Sequence, residues 1–360
     1  MTAALARLRE LVEIESPSGD TAGLDGCYEL LGDWSPLGSP LRLVRDGVPH
    51  LYWEGGGGDG SVLLLGHADT VWPRGTLSGW PCRVEDGRMT GPGAFDMKAG
   101  LVMAMEALEL AGDVGHVRML VTGDEEVGSL TSRPLLEEVA RDCAAVLVLE
   151  PSADGGAVKT ARKGCAMYRL TVAGRAAHAG LEPESGVNAL VELAHVVLAV
   201  AALGDQEAGT TVTPTVARAG TTTNSVPDVA HVDVDVRAWR LEELHRVESG
   251  LSRIRASLPG ASVELAGGVN RAPLERARSA GLLETARGVA RAAGLPLLGE
   301  AAVGGGSDGN FTAALGVPTL DGLGPAGGGA HARHEWVDTR ALGERAALVA
   351  GLIRALAPRG

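Results

Sequence analysis

The chain has 360 residues, 45% of them hydrophobic and 21% charged, and its formal charge is −13, from 32 Lys and Arg against 45 Asp and Glu. Such acidity argues against nucleic acid and anionic membranes as partners, while leaving room for an anionic substrate in a locally positive cleft. The length is that of two domains, and with 3% aromatic residues the core has to be packed from aliphatic side chains.

The opening stretch, MTAALARLRELVEIES, reads as an amphipathic helix without the apolar segment or cleavage pattern of a secretory signal. No apolar run reaches the roughly 20 residues of a membrane span, so a cytoplasmic location is expected. Cys27, Cys82, Cys143 and Cys165 form no CxxC pair. They are expected as reduced, buried thiols, so a bound metal would not be held through cysteine.

In chain order, 61–67 (SVLLLGH) is predicted as a short buried strand and 100–112 as a helix. Residues 116–126 are a strand running into a polar loop, 131–143 a helix with an early Pro, and 144–151 a strand. This alternation predicts a mostly parallel sheet with helices on its faces. The pattern then changes. Strand 168–176, helix 188–203, strands 210–220 and 230–239, helix 241–258 and strand 261–269 follow the βαββαβ order of a ferredoxin-like unit. Helix 280–294, strand 316–324 and helix 338–357 return to the first pattern. The expected fold is therefore α/β, with a discontinuous catalytic domain over 1–164 and 273–360 and an inserted domain over 165–272. Glycine runs at 55–58 and 304–306 read as turns or places of close backbone approach.

Acidic residues and histidines gather where the predicted strands end, which is where ligands bind in an open parallel sheet. The pieces are GHADTV (66–71), GPGAFDMKAG (91–100), TGDEEVGS (122–129), VLEP (148–151) and GGGAHARHEWV (327–337). Singly each is weak, since a lone HxD or DEE is more often a solvated loop. Together they offer His, Asp, Glu, Glu and His at five successive junctions, the nitrogen and oxygen donor set of two bridged zinc ions. The same donors also suit other divalent ions such as cobalt and manganese.

With GRAAHAG, NSVP, DVR and GGGSDG added in order, the chain resembles, from first helix to last, the co-catalytic zinc family of glutamate carboxypeptidases, aminoacylases, acetylornithine deacetylases and succinyl-diaminopimelate desuccinylases. The GPG before Asp96 and the RKG at 162–164 resemble the glutamate carboxypeptidase branch most. The resemblance implies two divalent metals, zinc foremost, held by His67, Asp96, Glu126, Glu150 and His331, with Asp96 bridging and its peptide to Met97 cis. His67 and Glu150 are implied for one metal, Glu126 and His331 for the other. Asp69 is implied to orient His67, and Glu125 to be the general base. The tandem Glu pair supplies one carboxylate for a metal and one for proton transfer, and which is which rests on the resemblance. His331, four residues before Glu335, is preferred over His334 as the last ligand.

For the inserted domain, the resemblance implies that His178 donates to the developing oxyanion across a homodimer interface, that Asn224 approaches the substrate, and that Arg237 pairs with its carboxylate. Taken alone, Arg237 would be a strand-edge charge and His178 a loop histidine. Gly305, Gly306 and Ser307 are expected to bring backbone amides to the substrate. The implied reaction is hydrolysis of an amide bond next to a free carboxylate, in a small peptide or an N-acyl amino acid. The alternatives are N-acyl deacylation or desuccinylation, and a metal-binding homologue without hydrolytic activity.

Overall fold

The structure is a computed structural model that describes residues 2–55 and 60–358. The chain divides into two compact units. The first comprises Met1–Arg162, Leu274–Val303 and Ser307–Gly360, and the second Lys163–Pro273 with Gly304–Gly306. Of the glycine run expected at 55–58, only Gly55 is among the described residues; its φ is 66°.

The first unit is built on a six-stranded sheet. Its order is Leu41–Arg45, Val48–Trp53, Val117–Thr122, Ser61–His67, Cys143–Val148, Thr319–Leu320. The last four strands run parallel and the first two form an antiparallel edge. Val62 and Leu64 belong to the core on one face, with Leu101, Val102, Met105 and Leu352. Leu63 and Leu65 belong to the core on the other, with Leu135, Leu136 and Phe311. Burial on both faces is why SVLLLGH is a continuous apolar run rather than an alternating one. The unit also holds a small antiparallel sheet, Gly327–Gly328, Trp336–Asp338, Arg88–Thr90 and Arg83–Glu85, and the parallel pair Glu300–Val303 and Val158–Arg162.

In the second unit the four strands lie in the order Thr211–Ala219, Val229–Ala238, Gly164–Ala173, Ser262–Arg271, all antiparallel. Helices Ala189–Ala201 and Leu241–Leu251 pack against them, and alternate residues Ala230, Val232, Val234 and Val236 enter the shared core. Asn188 starts the first helix by accepting from the amides of Leu190 and Val191.

Three differences from the sequence reading have local causes. The helix expected over 241–258 stops at Leu251. Beyond it, the buried Glu192 carboxylate takes the amides of Ser257 and Leu258, at 2.9 and 2.7 Å, and a charge-assisted bond outweighs one helical hydrogen bond. The strand expected over 316–324 is ordered as a strand only at Thr319–Leu320, and the residues after it turn to bind Glu150, Lys159 and Arg345. The hairpin Leu41–Arg45/Val48–Trp53 was not assigned, although its turn, Asp46-Gly47 with both φ positive, is a known hairpin signal.

Gly100, in the helix Ala99–Ala111, meets the end of a core strand. A Cβ there would stand 2.1 Å from the Leu149 carbonyl oxygen. Gly100→Ala is expected to lower the unfolding free energy by about 1–3 kcal/mol or more, measured by urea titration. Gly281→Ala, in the helix Arg276–Ala292 with open space around it, is expected to raise it by about 0.5–1 kcal/mol.

Candidate metal centre

His67 closes its strand opposite Thr122. The strand on one side runs through Thr122 to Glu125 and Glu126, and the strand on the other runs on to Glu150. Asp96 lies in the kinked turn Ala94–Lys98 before the Ala99–Ala111 helix, and its peptide to Met97 is cis. His331 has φ 61°, a left-handed conformation uncommon outside glycine.

His67 Nε2 lies 3.4 Å from Asp96 Oδ1 and 3.5 Å from Glu150 Oε1. His331 Nε2 lies 3.4 Å from Asp96 Oδ2 and 3.1 Å from Glu126 Oε2. Asp96 thus turns one oxygen to each imidazole. Ligand atoms of His67, Asp96 and Glu126 lie within 4.8 Å of one another, and so do those of His67, Glu125 and Glu150. His67 Nε2, Asp96 Oδ1 and Glu126 Oε1 are buried without a hydrogen-bond partner. Converging orphaned donors of this kind, nitrogen and carboxylate oxygen only, fit two divalent cations.

The electrostatics agree. Burial disfavours a charged His67, yet Asp69, Asp96 and Glu150 outweigh it and raise its pKa well above the ordinary value. Hydrogen bonds to Asp96 and Glu126 raise that of His331 to about 10. Burial acts to raise the pKa of Asp96, but His331 and His67 hold it below the carboxylate range. Each imidazole is drawn toward a positive charge by the carboxylates around it, which is the same demand a cation would meet.

Around this cluster stands a frame. His67 Nδ1 donates to the Asp69 carbonyl oxygen at 2.9 Å, so Nε2 presents its lone pair to the cluster. The Asp69 carboxylate, expected on His67, is 3.4 Å from it. That carboxylate also accepts from the amides of Glu125 and Glu126, both at 3.1 Å, and from Ser18 Oγ at 2.6 Å. Arg162 donates twice to Asp321, at 2.8 Å each, and to Glu150 Oε2 at 3.1 Å. Glu335 accepts from the amides of Gly93, Phe95 and Asp96 and from the Trp72 indole. Burial raises the Glu335 pKa to about 7.

Sequence reasoning missed the bracing roles of Arg162, Asp321 and Glu335. Asp321 sits in LDGLG after a predicted strand, and Glu335 served only to mark the spacing from His331. Ser307 is buried, its hydroxyl donates to Asp321 and accepts from Gly309 N, and its amide donates to Asn310 Oδ1, so it also braces this network. His334 is exposed.

His178, Asn224, Arg237, Gly305 and Gly306 belong to the second unit. His178 pairs with Ser225 across a two-stranded bridge, and Ala179 N donates to the Asn224 carbonyl oxygen, so these two loops are neighbours. His178 Nδ1 accepts from the amides of Gly180 and Leu181, both at 3.1 Å. Its hydrogen therefore sits on Nε2. Arg237 is engaged with Asp235 on its own strand, with Nε at 3.0 Å.

The model of peptidase family M20/M25/M40 matches residues 63–355. The chain is 33% identical to carboxypeptidase G2 of Pseudomonas sp. (strain RS-16), over 98% of this chain and 88% of that one. It is 31% identical to succinyl-diaminopimelate desuccinylase 2 of Shewanella loihica, over 71% and 72%. Its fold matches a metallo-carboxypeptidase of the M20 family from Sulfolobus solfataricus with a TM-score of 0.79, at 17% identity and 99% coverage of both chains.

Glu335→Gln would put an amide nitrogen against backbone N–H groups that now meet a carboxylate. Its expected effect is a loss of about 10–100-fold in metal affinity, read by competition with a chromophoric chelator, with the far-UV circular dichroism of the folded chain retained.

Proposed function

The chain belongs to peptidase family M20/M25/M40 and is a hydrolase of peptide or amide bonds; we propose that it uses two divalent cations, zinc foremost, to cleave an amide bond next to a free carboxylate. The observation that carries this reading is Asp96, with one oxygen toward His67 and the other toward His331. His67 and Glu150 would hold one cation, Glu126 and His331 the other, and Asp96 both.

Bound there, the cations would polarise the scissile carbonyl and make a shared water acidic near neutral pH. Glu125 takes the proton of the attacking water and delivers it to the leaving amine. Its backbone is held by Asp69, so the base is aimed before substrate arrives. His178 donates from Nε2 to the developing oxyanion, a role supported by the two amides that occupy its Nδ1. Asn224, beside it, contacts the acyl group. Arg237 exchanges Asp235 for the substrate carboxylate, which it suits as a planar two-pronged donor. Gly305 and Gly306 offer backbone amides. The substrate is a small peptide or an N-acyl amino acid. N-acyl deacylation, desuccinylation included, is the second reading, supported by the desuccinylase relative.

The same reading makes the chain a homodimer joined through the second unit, with His178 serving the partner's metals. Two features of that unit support it. Thr211–Ala219 is an edge strand, and edge strands pair readily with a second copy. Helix Ala189–Ala201 also exposes Leu190, Val191 and Leu198, the last 72% accessible, a large apolar face for an isolated chain. The four cysteines are free, in keeping with a reducing compartment. No helix of the described residues is long and apolar enough to cross a membrane.

Glu125→Ala is expected to lower the turnover of N-acyl amino acids and dipeptides by about 10²–10⁴-fold or more, while two metal equivalents still bind by elemental analysis. Loss of metal in this variant, with retention in Glu126→Ala, would mean the two roles are exchanged. For the dimer, chains carrying His178→Ala and Glu125→Ala should each be nearly inactive. Mixed after reversible dissociation, they should regain activity from hybrids holding one intact composite site. Subunit exchange shown by mass spectrometry without recovered activity would rule out the shared site.

A further inference from the structure

Arg345, on the helix Leu342–Ala355, is 7% exposed. Its guanidinium donates to three carbonyl oxygens: Nε to Gly324 and Nη1 to Gly156, both at 2.8 Å, and Nη2 to Gly322. Three of its five N–H groups are thereby satisfied, but carbonyl oxygens do not neutralise a charge. Buried Arg162 has Asp321 and Glu150; Arg345 has no carboxylate partner among the described residues. Burial alone acts on it, and pulls its pKa down to about 10. A buried charge without a counter-ion is costly.

Arg345 lines a cavity of about 410 Å³, and so does Gly156, whose carbonyl its Nη1 reaches. The volume is within the range of small-molecule sites. Most of the remaining wall is apolar, formed by Leu295, Pro296, Leu298, Trp336 and Leu348. None of the metal-centre residues lines it. One cation at an apolar wall matches a small amphiphilic anion. Exposed Asp154 and Glu344 also line the cavity, with Asp338, which pairs with Arg340. These acids disfavour a multiply charged ligand such as phosphate and leave a single carboxylate as the fitting head group.

We propose that the cavity beside Arg345 is a binding site for a small monocarboxylate with an apolar body, separate from the metal centre. The site also touches the frame of that centre. Arg345 holds the carbonyls of Gly322 and Gly324, and Gly324 N donates to the Glu150 carbonyl oxygen at 2.9 Å. A ligand that draws on this guanidinium bears on the loop beside Glu150.

The test uses the metal-loaded enzyme, labelled at leucine and alanine methyl groups with carbon-13, and titrates hexanoate against hexanamide, its uncharged counterpart. Hexanoate is expected to shift the Leu295, Leu298 and Ala290 methyl resonances to saturation, half complete at about 1 mM or below. Hexanamide should bind about tenfold more weakly. Leu297, 89% exposed on the lining, gives a variant that leaves the core alone, and Leu297→Glu should weaken hexanoate about threefold by repulsion at the rim. Arg345→Lys, which keeps the charge and loses the fork, should weaken it further. Equal affinity for hexanoate and hexanamide would overturn the proposal. So would hexanoate shifts confined to methyl groups around the metal centre, or no cavity shift up to about 20 mM.

Discussion

Negative charge gathered in a buried place is the constraint on which the first unit is built. Glu125, Glu126 and Glu150 lie just past the ends of largely buried strands, and Asp96 brings its carboxylate to them from the turn ahead of the Ala99–Ala111 helix. Two unit charges 4.8 Å apart repel by about 3–4 kcal/mol even at an effective dielectric of about 20. Two imidazoles cannot cancel four such groups. Cations in this place would relieve the repulsion, and the chain holds the carboxylates in place against it.

The holding is done by groups around the cluster. Arg162 fixes Glu150 and is itself fixed by Asp321. Glu335 gathers three consecutive-turn amides around Asp96. Lys98 reaches the carbonyls of Leu11 and Ile14, tying the turn of Asp96 to the end of the first helix. Under the Glu125–Glu126 turn, Gly123 N donates to His50 Nδ1, so His50 Nε2 carries the hydrogen and gives it to Thr131 Oγ1, which donates in turn to Asp124. Burial keeps His50 neutral by lowering its pKa, which this chain of donors requires. Asp308 closes the same loop through Thr122 and Ser129. Each bond to a charged group is worth about 1.5–3 kcal/mol, comparable with the repulsion it opposes.

Much of this was legible in the sequence, and what was legible has a physical reason. SVLLLGH announces a strand buried on both faces, and the alternation in AHVDVDVRAW announces one buried on a single face. The side chains that converge here, those of His67, Asp96, Glu126, Glu150 and His331, could be singled out because metal chemistry favours His, Asp and Glu and because their motifs resemble those of a known family. The frame was not readable. Arg162, Asp321 and Glu335 are ordinary residue types, and the partners named for them in this frame lie 12 to 263 positions away, beyond the reach of any local pattern. The Asp69 carboxylate shows the same limit: its separation from His67 is local, while its bonds to Glu125 and Glu126 span 56 and 57 residues.

Those last bonds answer an objection raised by the strand itself. Adjacent residues of an extended chain point to opposite sides, so a tandem Glu pair on a strand could not serve one site. Here the strand ends at Thr122, and Glu125–Val127 form a single 3₁₀ turn closed by Gly128 at φ 99°. Both amides of the pair then point at one carboxylate, Asp69, and the two side chains leave on the same side. They are not equivalent there. Glu126 lies against His331 at 3.1 Å, whereas Glu125 groups with His67 and Glu150. Glu126 thus lies between His331 and Asp96, and Glu125 on the side of Glu150. That asymmetry, set by one turn and one buried acid, is what the proposed division of metal binding and proton transfer between two chemically identical neighbours would rest on.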